Sequence, residues 1–207
     1  MHNLTGVILC GGESRRMGSD KGLLTKEGTS WAQYVAEKLT TFHLPAVFSV
    51  RSAQLPAYTT AIPQGHFIED TLHLAGPLQG LLSVHEKFPD KDLLLLACDM
   101  LDLDEATIRI MIDTYLAGGY EFYVYQAPTP SIPPPAHTTP SHRHGAFAQP
   151  FCGIYTSTAL AAAYLSIRGQ HSPDLSLQSL LNKGKTKRIG IARIEAFANY
   201  NFAPPET

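Results

Sequence analysis

A chain of 207 residues is long enough to bury a core without disulfide or metal staples, and a formal net charge of −2 excludes a non-specific nucleic-acid binder, which needs a basic excess. Its apolar content of 44% is that of a globular protein; no apolar run reaches bilayer length, and the N-terminus lacks a secretory pattern. Cys10, Cys98 and Cys152 are too far apart for a metal-ligand pair or a disulfide framework, so a reducing, cytoplasmic setting without membrane partner fits best.

Thr5 to Cys10 is short, apolar and β-branched and runs into Gly11-Gly12, which reads as a buried strand ending in a glycine loop. Thr29 to Phe42 has helical spacing, with Trp31, Tyr34, Val35 and Leu39 on one face. Ala46 to Val50 and Phe67-Ile68 are further short strands. Gly76 to Phe88 is a helix with Pro77 near its start, where a missing N–H costs nothing. Leu93 to Cys98 is the strongest buried strand, and Asp99 follows it. Asp104 to Leu116 is an amphipathic helix with Asp104 as its expected N-cap. Glu121 to Tyr125 is a strand. Gln126 to Pro150 holds seven of the fifteen prolines and reads as a long surface loop inserted in the domain. Phe151 to Tyr155 resumes as strand, Thr158 to Ile167 and Leu175 to Leu181 as helices, and Arg188 to Ile194 as strand. Alternating strands and helices predict an α/β class: a three-layer, Rossmann-like sandwich on a mainly parallel, mixed sheet, forming one domain over 1–207.

The chemistry concentrates at strand ends. Between Leu9 and Lys21 the chain reads LCGGESRRMGSDK. Glycines let backbone approach a ligand, and successive loop N–H groups form an anion-binding concavity. Arg15, Arg16 and Lys21 add positive charge where a triphosphate would lie. The loop is neither a Walker loop nor GxGxxG, which disfavours a generic P-loop or dinucleotide fold. Asp99, at the end of the most apolar strand, is where a carboxylate binds Mg²⁺ bridging phosphates; capping the next helix or pairing with a basic neighbour is the bland alternative. Asp70 ends another strand and reads equally as ligand or as turn residue. Gly76-Pro77 at a helix start can present N–H groups to a base or phosphate, or be a simple helix entry. His137, His142 and His144 lie in the proline-rich loop with Arg143 and read as solvated polar residues rather than metal ligands. Cys98 reads as buried and inert, and Cys10 as chosen for small size.

These motifs together resemble the molybdenum cofactor guanylyltransferase family, within the glycosyltransferase-A-like nucleotidyltransferases. TGVILCGGESRRMGSDKGLL is similar to the family's LAGGxxxRMGxxDK loop. FIED at 67–70, GPLQGLLS at 76–83 and LLLACD at 94–99 follow in the family's order, and FANYNFAPPE at 197–206 resembles its FxNxNTPEE ending. The resemblance implies that Leu9, Cys10, Gly11, Gly12, Lys21, Asp70, Gly76 and Asp99 bind GTP, that Asp99 holds Mg²⁺, and that Asn199 and Asn201 face the pterin. Catalysis would rest on Lys21 and Asp99, assisted by Arg15 or Arg16. GTP and molybdopterin or molybdenum cofactor would be the substrates, with molybdoenzyme-maturation proteins as candidate partners.

The chain departs from the family pattern in four places. Met100-Leu101 stands where a proline is usual. Ser49-Val50-Arg51-Ser52 lacks the usual Asn. The segment 126–150 is an insert, and Phe202-Ala203 replaces a Thr. The reaction implied is attack of a molybdopterin phosphate on the α-phosphorus of GTP with loss of pyrophosphate. A cytidylyl- or sugar-phosphate nucleotidyltransferase and a non-catalytic nucleotide-binding accessory protein are the alternatives; the double glycine in Leu9-Cys10-Gly11-Gly12, where cytidylyl enzymes tend to carry LAAG, favours GTP.

Overall fold

The computed structural model describes residues 3–11, 20–126, 148–169, 176–198 and 200. Gly12, Arg15, Arg16, Asn199, Asn201, His137, His142, Arg143 and His144 lie outside the described residues.

The strands are β1 (Leu4–Leu9), β2 (Thr25–Lys26), β3 (Thr29–Ser30), β4 (Ala46–Val50), β5 (Phe67–Glu69), β6 (Asp92–Ala97), β7 (Phe122–Gln126), β8 (Ala148–Tyr155) and β9 (Thr186–Gly190). The helices are α1 (Trp31–Glu37), α2 (Leu55–Ala61), α3 (Pro77–Lys87), α4 (Glu105–Leu116), α5 (Ser157–Gly169) and α6 (Leu177–Lys183). Seven strands form one sheet in the order β5-β4-β1-β6-β8-β7-β9. β5, β4, β1 and β6 run parallel, β8 is antiparallel to both β6 and β7, and β9 is parallel to β7. This is the expected mixed, mainly parallel α/β sandwich.

Successive strand side chains point to opposite faces, and here each face has its own core. Leu4 and Ile8 of β1 and Leu94 and Leu96 of β6 join Trp31, Val35, Tyr58, Ile108 and Met111, from α1, α2 and α4. Val7 and Leu9 of β1 and Leu93 and Leu95 of β6 join Leu78, Leu81, Leu160 and Leu181, from α3, α5 and α6. Burial on both faces is why these strands read as unbroken apolar runs.

Three expectations are corrected. The helix expected over Thr29–Phe42 is shorter: α1 ends at Glu37 and a 3-10 turn covers Thr40–Phe42. Before it stands the hairpin β2–β3, whose turn at Glu27-Gly28 has φ of 53° and 77°, the left-handed geometry that matches strand twist. Ser30 then caps α1, accepting from Gln33 N at 3.4 Å. Second, Gln126 and Ala148–Pro150, expected in the loop, are strand residues: Tyr125 pairs with Gln149 and Gln126 with Ala148. Pro150 is tolerated because the register shifts there, and β6 pairs only with residues 153–155, leaving its missing N–H without a sheet partner to disappoint. Third, the last strand spans Thr186–Gly190 rather than Arg188–Ile194. α2, absent from the sequence reading, carries Tyr58, which is wholly buried. Asp104 caps α4 as expected, accepting from Thr107 N at 2.8 Å.

Candidate active site

Because β5, β4, β1 and β6 run parallel, their C-terminal ends share one edge of the sheet, where ligands collect in open α/β folds. Asp70, Arg51, Cys10-Gly11 and Cys98-Asp99 follow those four strands in spatial order. The ladder runs one step past the strand ends: Cys10 N donates to Ser49 O at 2.9 Å and Cys98 N to Leu9 O at 3.2 Å.

Lys21 and Asp99, seventy-eight positions apart, meet at this edge: Lys21 Nζ lies 3.3 Å from Asp99 Oδ2, with side chains 22% and 15% exposed. Lys21 opens a 3-10 turn, Lys21–Leu23, capped by Asp20, whose carboxylate accepts from Gly22 N at 3.1 Å. Asp99 does not cap α4, a task that falls to Asp104; it does pair with a basic residue, the other bland reading. Met100 and Leu101, which replace the family's proline, are 1% exposed and pack in the core, so this departure is one of packing beneath the site.

Beside this pair a cavity of about 490 Å³ opens over β1, β4 and β5. Leu9, Gly11, Asp70 and Gly76 line it, as do Ser49, Arg51, Gln79 and Gly80. Ser49 Oγ donates to Asp70 Oδ1 at 2.6 Å. Burial pushes the Asp70 carboxyl above its ordinary value, opposed by the Ser49 hydrogen bond and the Arg51 charge. Two glycines make room for this pair. A Cβ on Gly11 would sit 2.6 Å from Asp70 Oδ2, and one on Gly80 would overlap Ser49 Oγ and lie 2.7 Å from Leu9 Cδ2. Gly76 has φ of 70° at the start of α3, a conformation that favours glycine. Ser83 Oγ accepts from Thr71 N at 3.1 Å and fixes the turn after Asp70.

Of the expected site residues, Leu9, Gly11, Asp70 and Gly76 thus share one cavity, and Lys21 and Asp99 face each other next to it. Cys10 belongs to the scaffold: its N–H goes to Ser49, and its carbonyl accepts from Gln54 Nε2 at 3.1 Å. Its thiol is buried and raised by that burial and by the neighbouring Cys98 thiol, which fits the reading of a residue chosen for small size. Ser49, Arg51, Gln79 and Gly80 were not assigned from sequence. Ser49 and Arg51 stand in the strand-end segment noted above for lacking the family's Asn, and Gln79 and Gly80 in the GPLQGLLS motif. Asn199 and Asn201 are not described, but Tyr200 between them donates to Asp102 and packs edge-on against Trp31, centroids 6.3 Å apart.

Mg²⁺ takes one or two carboxylates and fills its remaining positions with water and phosphate oxygens. Asp99, after β6 at the same sheet edge as the cavity, has a carboxylate of the kind such a site needs. Among the described residues no three His, Cys, Asp or Glu side chains cluster as an all-protein cage would need. Among the same residues no helix is long and apolar enough to cross a membrane.

Residues 6–185 match the model of the MobA-like NTP transferase domain. The molybdenum cofactor guanylyltransferase of Campylobacter jejuni (serotype O:6) is 26% identical over 206 residues, 98% of this chain and 93% of its own length. A molybdenum cofactor biosynthesis bifunctional protein of Synechocystis is 27% identical over 157 residues, but the match spans only 40% of it. Among solved structures, molybdopterin-guanine dinucleotide biosynthesis protein A of Archaeoglobus fulgidus aligns over 96% of this chain and 93% of its own, with a TM-score of 0.67 and 18% identity. The bifunctional IspDF of Campylobacter jejuni aligns over 96% of this chain and 52% of its own, with a TM-score of 0.72 and 13% identity. With the family match covering most of its length, and with the glycine loop and paired Lys21 and Asp99 at a shared sheet edge, the chain belongs to the MobA-like NTP transferase family of nucleotidyltransferases.

Proposed function

We propose that this protein transfers GMP from GTP to molybdopterin or its molybdenum form, releasing pyrophosphate. The observation that carries the reading is the 3.3 Å pairing of Lys21 Nζ with Asp99 beside the cavity that holds Asp70 and Gly76. The relatives named above point to this substrate pair, and the double glycine favours GTP over CTP. In this reading the cleft holds the nucleoside over Leu9 and Asp70 and the polyphosphate toward Lys21 and Asp99.

The acceptor's terminal phosphate oxygen forms a bond to the α-phosphorus as the α–β anhydride bond breaks, and the electron pair leaves with pyrophosphate. No covalent enzyme intermediate is needed, so the protein's task is alignment and charge neutralisation. Gly11, lacking a side chain, lets the backbone approach the nucleotide. Lys21 takes up charge developing on the leaving pyrophosphate, and Arg15 or Arg16 assists. Asp99 would hold Mg²⁺, which supplies charge neutralisation across the phosphates when bound. Asn199 and Asn201 are assigned to the pterin, on the resemblance alone. The same reading takes 1–207 as one domain with an insert between Gln126 and Ala148, acting in the cytoplasm, where three free cysteines would persist. Molybdoenzyme-maturation proteins are its candidate receivers of product.

Calorimetric titration with GTP, CTP, ATP and UTP, with and without Mg²⁺, tests the nucleotide, and pyrophosphate release with molybdopterin tests the reaction. GTP should bind most tightly and only with Mg²⁺. Preference for CTP would move the chain to the cytidylyl reading. Binding without pyrophosphate release would make it an accessory protein.

A further inference from the structure

One side chain touches both ends of the cleft and belongs to neither of the motifs above. Gln54 stands just before α2 and is 8% exposed. Its Nε2 donates to Cys10 O at 3.1 Å and to Asp20 Oδ2. Its Oε1 accepts from Arg51 N at 2.9 Å and from Arg51 Nε at 3.2 Å. A carboxamide has two donors and two acceptor positions, and here all four are used. Rotating the amide by half a turn would set donors against Arg51's donors and oxygen against two acceptors, so its orientation is fixed. Asp20 in turn accepts from Gly22 N at 3.1 Å and Tyr58 Oη at 2.8 Å. Gly22 cannot carry a side chain, because a Cβ would overlap Tyr58 Oη.

The connections run in two directions. Through Asp20 the carboxamide fastens the turn that starts with Lys21, whose Nζ reaches Asp99. Through Arg51 it fastens a wall of the cavity containing Asp70. Through Cys10 O it ties both to the end of β1, directly before Gly11.

We propose that Gln54 is a positioning residue that locks the Lys21 end and the Arg51 end of the cleft into one rigid arrangement, so that a nucleoside triphosphate meets both at once. This rests on the nucleotide reading given above. A ligand spanning two prearranged subsites avoids the entropy of ordering them, and that advantage goes when the lock is removed. Glutamate at this position keeps the shape and the acceptor for Arg51 but replaces the amide that donates to Asp20 and to Cys10 O with a carboxylate oxygen that only accepts. The groups around it are Asp20 and Lys21 in the loop, Cys10 after β1, Cys98 after β6, Tyr58 on α2, and Arg51. The two facing carboxylates would share a proton as pH falls, restoring an O–H donor to Asp20.

The test is calorimetry with GTP on full-length wild type, Gln54→Leu and Gln54→Glu, run well below each protein's unfolding midpoint. At about pH 8 both variants should bind GTP about tenfold or more weakly than wild type, the loss expected from hydrogen bonds to charged groups. At about pH 6 the deficit of Gln54→Glu, relative to wild type at that pH, should shrink to about threefold or less, while that of Gln54→Leu stays. A merely structural glutamine would lower the unfolding midpoint and leave the affinity of folded protein unchanged. Inorganic tripolyphosphate, which engages only the Lys21 end, should lose less affinity than GTP. Wild-type GTP affinity in either variant at about pH 8, a glutamate deficit that ignores pH, or equal losses for tripolyphosphate and GTP would each overturn the inference. Should Gln54→Leu not fold, the near-isosteric glutamate decides alone. Failure of wild type to bind GTP is a different result and removes the GTP reading on which the inference rests.

Discussion

Replacing Gly80 by alanine sets two opposing effects against each other at the floor of the cavity. Gly80 lies within α3, where alanine is favoured over glycine by about 1 kcal/mol. Taken alone, that gain would raise the melting temperature. The new methyl, however, would overlap Ser49 Oγ and lie 2.7 Å from Leu9 Cδ2 and 3.3 Å from Asp70 Oδ1. Ser49 is fully buried and bonded to Asp70, so turning its hydroxyl away from the methyl breaks that bond. Overpacking costs about 1–3 kcal/mol, and losing a hydrogen bond to a carboxylate about 1.5–3 kcal/mol. Even the lower ends together exceed the helix gain, and a net loss of about 3 kcal/mol follows from mid-range values. In a domain of this size that lowers Tm by about 6–12 °C. Gly80→Ala should therefore melt lower by calorimetry and also bind GTP more weakly, because Asp70 is pushed into the nucleotide's space. A variant that melts higher than wild type with unchanged GTP affinity would show that the Ser49–Asp70 pair yields freely and that Gly80 does not shape the site.

Lys21→Met should lower turnover by about 10²–10³-fold, as loss of a transition-state charge partner does. A partly exposed ion pair is worth only about 0–1 kcal/mol, so its Tm should stay within about 4 °C of wild type; a pyrophosphate-release assay and a melt separate the two. Asp70→Asn should weaken GTP binding about tenfold or more while raising Tm at neutral pH. The sign follows from burial, which holds the folded carboxyl above its unfolded value: the stability of the protonated form is lost as pH rises through the folded value, and asparagine never incurs that loss. Melts at neutral and mildly acidic pH check this, since the gap between variant and wild type should shrink on acidification. His85, 3% exposed and packed edge-on to Tyr164, has its imidazole held below its ordinary value by burial. Its contribution is present above about pH 6.5 and lost as pH falls toward the folded value, so His85→Leu should flatten the acid limb of Tm against pH. Leu94→Ala, at a residue fully buried in the core beneath β6, should cost about 2–5 kcal/mol in denaturant unfolding.

The parallel half of the sheet was legible because its strands are buried on both faces. Val7 to Leu9 and Leu93 to Leu96 therefore read as continuous apolar runs, and the residues after them read as a ligand edge. α3 and α4 were legible from their local signals, Pro77 at one start and Asp104 capping the other. α2 was not: LPAYTTA has little helical periodicity, and what fixes it is Tyr58 reaching Asp20 from the side. The hairpin β2–β3 is too short to show alternation, and its turn, Glu27-Gly28, is marked by only one glycine.

Sequence by itself determined which chemistry is present: a glycine loop with Lys21, and carboxylates Asp70 and Asp99 directly after apolar strands. Those features depend on residue type and near-neighbour spacing, which a linear pattern carries. Only the tertiary structure decided that Lys21 lies 3.3 Å from Asp99, that Ser49 and Arg51 line one cavity with Asp70 and Gly76, and that Gln54 bonds to Cys10, Asp20 and Arg51 together. These are meetings between residues tens of positions apart. They follow from strand order and register, which side-by-side pairing of β5, β4, β1 and β6 sets and no local propensity encodes.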